Sequence, residues 1–198
     1  MVAAGAVFTA VSGPFAVVFG VTAAAWFVLE LRQSITRRSE AVKADRGSLM
    51  VLRATYIGGA AVALVVKGAL PVAAIQPDSL ASSLGLIFMW SGIALRVWSF
   101  QTLGRYFTFT VQTSSDQPVI TDGPYRIVRH PGYTGLLLAI IGVGFLFGNW
   151  ASTIALAVVA TAGLMYRITV EERALLQALG DRYRDYAATR KRLIPFAW

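Results

Sequence analysis

The amino-acid sequence predicts an all-α, polytopic membrane protein with about five transmembrane helices, a C-terminal helical hairpin among them, and a cytoplasmic amphipathic tail. Three observations carry this expectation. Of 198 residues, 56% are hydrophobic and only 14% are charged, and the mean hydropathy of +0.61 lies well above that of an ordinary soluble domain. The apolar residues are gathered into five runs, judged against the ~20 residues a helix needs to cross a hydrocarbon core. Lysine and arginine collect in alternate loops, the pattern left when positive charge is retained in the cytoplasm.

The runs are Gly13 to Leu31, Ala54 to Ala74, Leu80 to Phe100, Tyr133 to Phe147 and Trp150 to Tyr166. The opening "MVAAGAVFTAVSGPFAVVFG" lacks the positive n-region of a secretory signal, so it reads as a retained first helix. Only Gly148 and Asn149 separate the last two runs. They form a tight hairpin in which Gly142, Gly144 and Gly148 allow close helix approach. No strand precedes the "GVGFLFG" within it, so that run is packing and not a dinucleotide fingerprint.

The basic residues set an orientation. One group runs from Arg32 through Arg37, Arg38, Lys43 and Arg46 to Arg53; others are Arg105, Arg126 and Arg129, and the tail from Arg167 to Arg192. All fall on one side, while Gln76 to Ser79 and Gly148 to Trp150 carry no positive charge. The N-terminus is therefore expected outside and the C-terminus in the cytoplasm. Lys67 and Arg96 lie inside spans but near their ends, where long side chains snorkel to the headgroups; Arg96 could equally meet a ligand on the cytoplasmic side. The net charge of +8 does not indicate a nucleic-acid partner, because the cations form no continuous polar face interleaved with aromatics. Cysteine is absent, which removes disulfides, thiolate metal sites and cysteine nucleophiles together. No metal is expected.

Two polar segments carry candidate chemistry. "YRIVRHPGYTG" (Tyr125 to Gly135) holds the single histidine of the chain, the one side chain titrating near neutrality when unperturbed. Pro131 biases His130 away from helical dihedrals, which places it on the loop leading into the fourth helix. The first amides of that helix lack intrahelical partners and suit a carboxylate or phosphate, an attraction that Arg126 and Arg129 strengthen. The plainer reading is that these arginines bind lipid phosphates and His130 caps the helix. In "YRITVEERALLQALG" (Tyr166 to Gly180), Arg167 and Glu171 share a helix face at i,i+4, with Glu172 about 100° round. Carboxylates at the membrane boundary are costly unless they pair or bind a cation. Leu175, Leu176 and Leu179 supply an apolar stripe and Gly180 a stop, as in a helix that lies along the membrane surface. An amphipathic helix held by an Arg–Glu pair explains this segment nearly as well.

The order "GPYRIVRHPGYTG", short apolar hairpin, "RITVEERALLQALGDRYRDY" and closing "RLIPF" resembles the integral-membrane isoprenylcysteine carboxyl methyltransferase family and its bacterial relatives. The upstream "GIALRVWSFQTLGRYFTFTV" (Gly92 to Val111) fits as well. The resemblance covers about Gly92 to Phe196, so residues 1–91 are read as N-terminal transmembrane helices and 92–198 as a methyltransferase core within one integral-membrane domain. Leu179 departs from the family, which often has phenylalanine before the glycine.

The resemblance implies an S-adenosylmethionine-dependent methyltransferase in a bacterial inner membrane, with a cytoplasmic cofactor site and a lipophilic substrate entering from the bilayer. It also implies cofactor contacts from Arg129, His130, Pro131, Tyr133, Gly135, Glu171, Glu172 and Leu175, with Tyr125 or Tyr133 at the polar edge. Such a cofactor needs cationic or amide donors, acceptors and an apolar slot. A carboxylate acceptor needs no general base, only a cation to orient it, and the resemblance gives this catalytic role to Arg167 supported by Glu171. An amine or thiol acceptor would make His130 useful as a base. Three alternatives stand beside this reading: a phospholipid, amine or thiol methyltransferase of the same fold; an NADPH-dependent membrane reductase; and a non-enzymatic transporter or scaffold. The internal repeats and mid-membrane ionisable residues of many transporters are absent from the sequence.

Overall fold

The computed structural model describes residues 14–35, 42–43, 47–106, 112–113 and 118–195. The expected start at Gly13, the first-loop cations Arg37, Arg38 and Arg46, the 107–111 end of the upstream motif and Phe196 lie outside the described residues. The chain is helical: α1 (Pro14–Ile35), α2 (Ser48–Ala69), α3 (Asp78–Leu103), α4 (Pro131–Phe145), α5 (Trp150–Leu179) and α6 (Asp181–Thr189). Among the described residues the only sheet is a two-residue antiparallel ladder, in which Val42 faces Thr113 and Lys43 faces Gln112.

By length and composition, α2, α3 and α5 can each cross a membrane; the apolar helices Phe15–Val28 and Pro131–Phe145 are shorter. Their composition is arranged for lipid. In α2 the buried positions are Ser48, Leu52, Gly59 and Ala63, whereas Ile57 and Val65 are 76% and 71% exposed. Large apolar side chains gain nothing by leaving lipid for the bundle, so small residues take the interior and bring the backbones together.

Two antiparallel pairs make up the bundle, α2 on α5 and α3 on α4, and α4 also packs on α5. The α3/α4 seam is built from facing glycines. A Cβ on Gly142 would lie 2.6 Å from both the Gly85 carbonyl oxygen and the Met89 nitrogen. One on Gly135 would lie 2.5 Å from the Gly92 carbonyl oxygen. Gly142 therefore serves α3 and not the α4–α5 hairpin in which its spacing suggested a role. Gly144 does serve the hairpin, since its Cβ would meet Thr153, and Gly148 makes the turn at φ 66°.

At the α4–α5 turn, Asn149 is 2% exposed. Its Oδ1 accepts from the Ser152 amide at 3.0 Å and its Nδ2 donates to the Leu70 carbonyl at 2.8 Å. The Ile75 amide donates to the Gly148 carbonyl at 2.8 Å. The two loops that lack positive charge thus meet at one end of the bundle, which leaves the other end for the polar segments.

α5 has 30 residues, about 45 Å at 1.5 Å per residue, well beyond a hydrocarbon core of about 30 Å. It runs unbroken past Tyr166 to Leu179, and the chain turns only at Gly180, with φ 57°. Leu179 is buried while Leu176 is 39% exposed, so the expected stripe is divided between two faces of one continuous helix.

Candidate functional site

At the end of the bundle away from Asn149, α4 begins at Pro131, and His130 before it holds φ −125° and ψ 57°, outside the helix as the following proline requires. The amides of Tyr133 and Thr134 both donate to the His130 carbonyl, at 2.9 and 3.0 Å. Beside this loop the chain after α6 returns as a strap. The Arg129 amide donates to the Lys191 carbonyl at 2.8 Å and the His130 amide to that of Arg192 at 3.0 Å. The Thr134 hydroxyl donates to the Leu193 carbonyl at 2.8 Å, and the Leu193 side chain is buried.

Glu172 sits between loop and strap. Its Oε1 lies 3.0 Å from an Arg129 guanidinium nitrogen and 3.1 Å from His130 Nε2, and its Oε2 accepts from Arg192 Nε at 2.9 Å. Arg129 also donates to the Ala187 carbonyl at 2.9 Å. One buried carboxylate thereby joins three elements distant in sequence. The chemistry is that of a charge-assisted network, which holds geometry tightly only while every member is present.

One turn away, the Tyr133 hydroxyl stands between the two residues spaced i,i+4. It donates to Glu171 Oε2 at 2.6 Å and accepts from Arg167 Nε at 3.1 Å. Arg167 is 2% exposed and also donates to Ser48 Oγ at 2.5 Å. The rings of His130 and Tyr133 stack with centroids 5.7 Å apart, which links the two clusters.

Arg129, His130, Tyr133, Arg167, Glu171 and Glu172 are thus brought together. Pro131 is fully buried at the head of α4, Gly135 faces the α3 seam and Leu175 is half-buried on α5; all three stand outside the hydrogen-bonded cluster. Tyr125 is buried below it, and its carbonyl accepts from the Tyr186 hydroxyl at 2.8 Å. Arg96, open between two roles in the sequence, donates to the Gly132 carbonyl at 2.9 Å and lies over the Phe100 ring. Burial pushes the phenols of Tyr125 and Tyr183 well up, with the nearby Glu171 and Glu172 charges respectively adding to it. Burial also pushes Tyr186 up to about 12, against the opposing pull of Arg190 and Arg129. All three phenols are therefore neutral at physiological pH.

Sequence reasoning missed Ser48 and the pairing of Arg192. Arg192 belongs to the closing "RLIPF" but carried no assigned role. Ser48 follows a glycine at φ 75° in a segment with no motif at all.

Comparison with known proteins follows the same segments. The model of the isoprenylcysteine carboxyl methyltransferase (ICMT) family matches residues 85–177. A probable protein-S-isoprenylcysteine O-methyltransferase of Oryza sativa subsp. indica is 34% identical over 117 residues, 58% of this chain and 61% of the rice protein. Protein-S-isoprenylcysteine O-methyltransferase B of Arabidopsis thaliana is 35% identical over 117 residues, 59% of its length. The Schizosaccharomyces pombe protein-S-isoprenylcysteine O-methyltransferase is 36% identical over 107 residues, 44% of its length. The chain thus spans less than two thirds of the length of these relatives. In fold it is similar to the solved structure of the eukaryotic intramembrane Ras methyltransferase ICMT, with TM-score 0.63 and 22% identity over 94% of this chain and 69% of that one. With its apolar helices and this fold the protein is an integral membrane protein. On the matched segments and the shared helical frame, residues 85–177 are similar to the isoprenylcysteine carboxyl methyltransferase family and the chain shares the fold of its solved member.

Proposed function

We propose that the protein is an S-adenosylmethionine-dependent methyltransferase that modifies a lipophilic acceptor drawn from the bilayer, in the first instance a carboxylate of a prenylated thiol compound. The observation that carries this reading is the buried Arg167, oriented by Tyr133 and Ser48 beside Glu171. A buried guanidinium fixed on two sides by neutral hydroxyls is suited to hold an anionic head.

The residues fit the cofactor's chemistry. Its carboxylate and ammonium call for cations and acceptors, which the Arg129, His130 and Glu172 cluster and Glu171 offer, and its flat adenine calls for apolar and aromatic surface such as that of Tyr133 and Leu175. When bound, the sulfonium cofactor supplies an electrophilic methyl group. The protein's part is to orient and to exclude water. Arg167 holds the acceptor head, Tyr133 and Glu171 fix the guanidinium, and the strap clamped by Glu172 closes the polar end. Positioning of this kind contributes about 7–11 kcal/mol to a bimolecular reaction. In this reading residues 92–198 form the methyltransferase core and residues 1–91 its membrane support, with Ser48 as their contribution to the site. The site faces the cytoplasm of a bacterial cell, the C-terminus inside and the N-terminus outside, and a C-terminal reporter active only outside the cytoplasm is expected to be silent.

The test is cofactor binding to the purified protein, S-adenosylhomocysteine against NADPH. Only the former is expected to bind, and His130→Ala and Glu172→Gln are each expected to weaken it by about 1–3 kcal/mol, the scale of one charge-assisted hydrogen bond. Thermal unfolding in detergent checks that the variants remain folded. Unchanged affinity in both would return these residues to a purely structural role.

A further inference from the structure

We infer that the basic groove between the end of α6 and the strap binds the phosphate of an anionic phospholipid headgroup. Arg129, Arg190, Lys191 and Arg192 line it, together with the chain from Ala187 to Thr189. Its positive charge is not balanced locally. Glu172 is already shared by Arg129, His130 and Arg192, and among the described residues neither Arg190 nor Lys191 pairs with a carboxylate. Among the described residues Arg190 donates only to the neighbouring Thr189 carbonyl, at 3.0 Å. The Nε–H groups of both Arg129 and Arg190 are buried with no protein acceptor. A buried donor without an acceptor is unfavourable, and an oxyanion is the acceptor that also answers the excess charge.

The surroundings select a lipid as the source of that oxyanion. Ile127 and Ile194, one on the loop and one on the strap, are 55% and 54% exposed. The isolated bridge between Val128 and Lys191 holds these two segments side by side. Exposed isoleucines beside an open basic groove match the boundary between headgroups and acyl chains, where cations attract anionic lipid and apolar side chains insert. The groove's volume of about 260 Å³ is below the roughly 300–1,000 Å³ of sites that enclose whole drug-sized ligands, so it suits a headgroup better than a complete nucleoside cofactor. This inference does not depend on the methyltransferase reading.

Full-length protein in detergent is titrated with short-chain phosphatidylglycerol, short-chain phosphatidylcholine or inorganic phosphate, with binding read by native mass spectrometry and thermal shift. Phosphatidylglycerol is expected to bind saturably and at far lower concentration than the other two. The Arg190→Ala/Lys191→Ala double variant is expected to bind it roughly 20-fold more weakly, the effect of losing two surface cations. The charge-matched Arg182→Ala/Arg184→Ala variant, altered on exposed positions of α6, is expected to stay within about twofold of the wild type. Equal weakening in both variants would mean diffuse attraction, and it would overturn the site. Inorganic phosphate binding as tightly as the lipid, or displacement of the lipid by S-adenosylhomocysteine, would overturn the headgroup as occupant.

Discussion

Arg167→Lys is expected to lower turnover by roughly 100-fold, the scale on which about 1 Å of misplacement acts, while affinity for S-adenosylhomocysteine stays within about twofold. The guanidinium is held by Tyr133 at Nε and Ser48 at a terminal nitrogen, and a lysine ammonium cannot meet both hydroxyls and still present a planar edge to an acceptor. Glu171→Gln is expected to act in the same direction, because the Tyr133 hydroxyl donates to Glu171 and so keeps its lone pair turned to Arg167. Ser48→Ala is expected to give a smaller loss of the same kind. Steady-state methylation of a lipophilic carboxylate beside cofactor titration separates the outcomes. Normal turnover in Arg167→Lys makes the residue a tether between α5 and α2; cofactor affinity that collapses with turnover makes it a cofactor ligand.

Gly142→Ala is expected to cost about 3 kcal/mol of stability, at the upper end of overpacking effects, although it adds a single methyl group. That methyl would lie 2.6 Å from two backbone atoms of α3 and 3.0 Å from the Met89 Cα, and backbone cannot rotate away as a side chain can. Helices α3 and α4 would have to separate along the seam, carrying the head of α4 and the loop before it away from Arg96. Gly58→Ala is the control, since its Cβ would meet no atom within 4 Å, and it is expected to be neutral or slightly stabilising. Thermal unfolding in one detergent compares them. Equal melting temperatures for Gly142→Ala and the wild type would remove the close seam from this account.

The helices and the approximate place of the site were legible in the linear order of residues, because both rest on local physics. Runs of apolar residues measure themselves against the bilayer, Pro131 marks the head of α4 wherever it packs, and the i,i+4 spacing of Arg167 and Glu171 follows from the helical repeat alone. Yet Tyr133, which stands between that pair, comes from another helix. The partners of Glu172 and Arg167 belong to the tertiary structure. Arg192 reaches Glu172 only after Gly180 turns the chain and the strap pairs with residues 129 and 130. Ser48 meets Arg167 across a separation of 119 residues. The glycine seam shows the same limit: nothing in the linear order pairs Gly85 and Gly92 with Gly142 and Gly135, Gly135 carried only an expected cofactor contact, and the assignment of Gly142 to the hairpin followed from nearness in sequence. In lipid the lateral arrangement of helices is decided by which surfaces come closest, and hydropathy barely distinguishes the faces of a helix whose large apolar residues are equally content in lipid. Only the packed bundle, by bringing these backbones together, shows which carboxylate receives which cation.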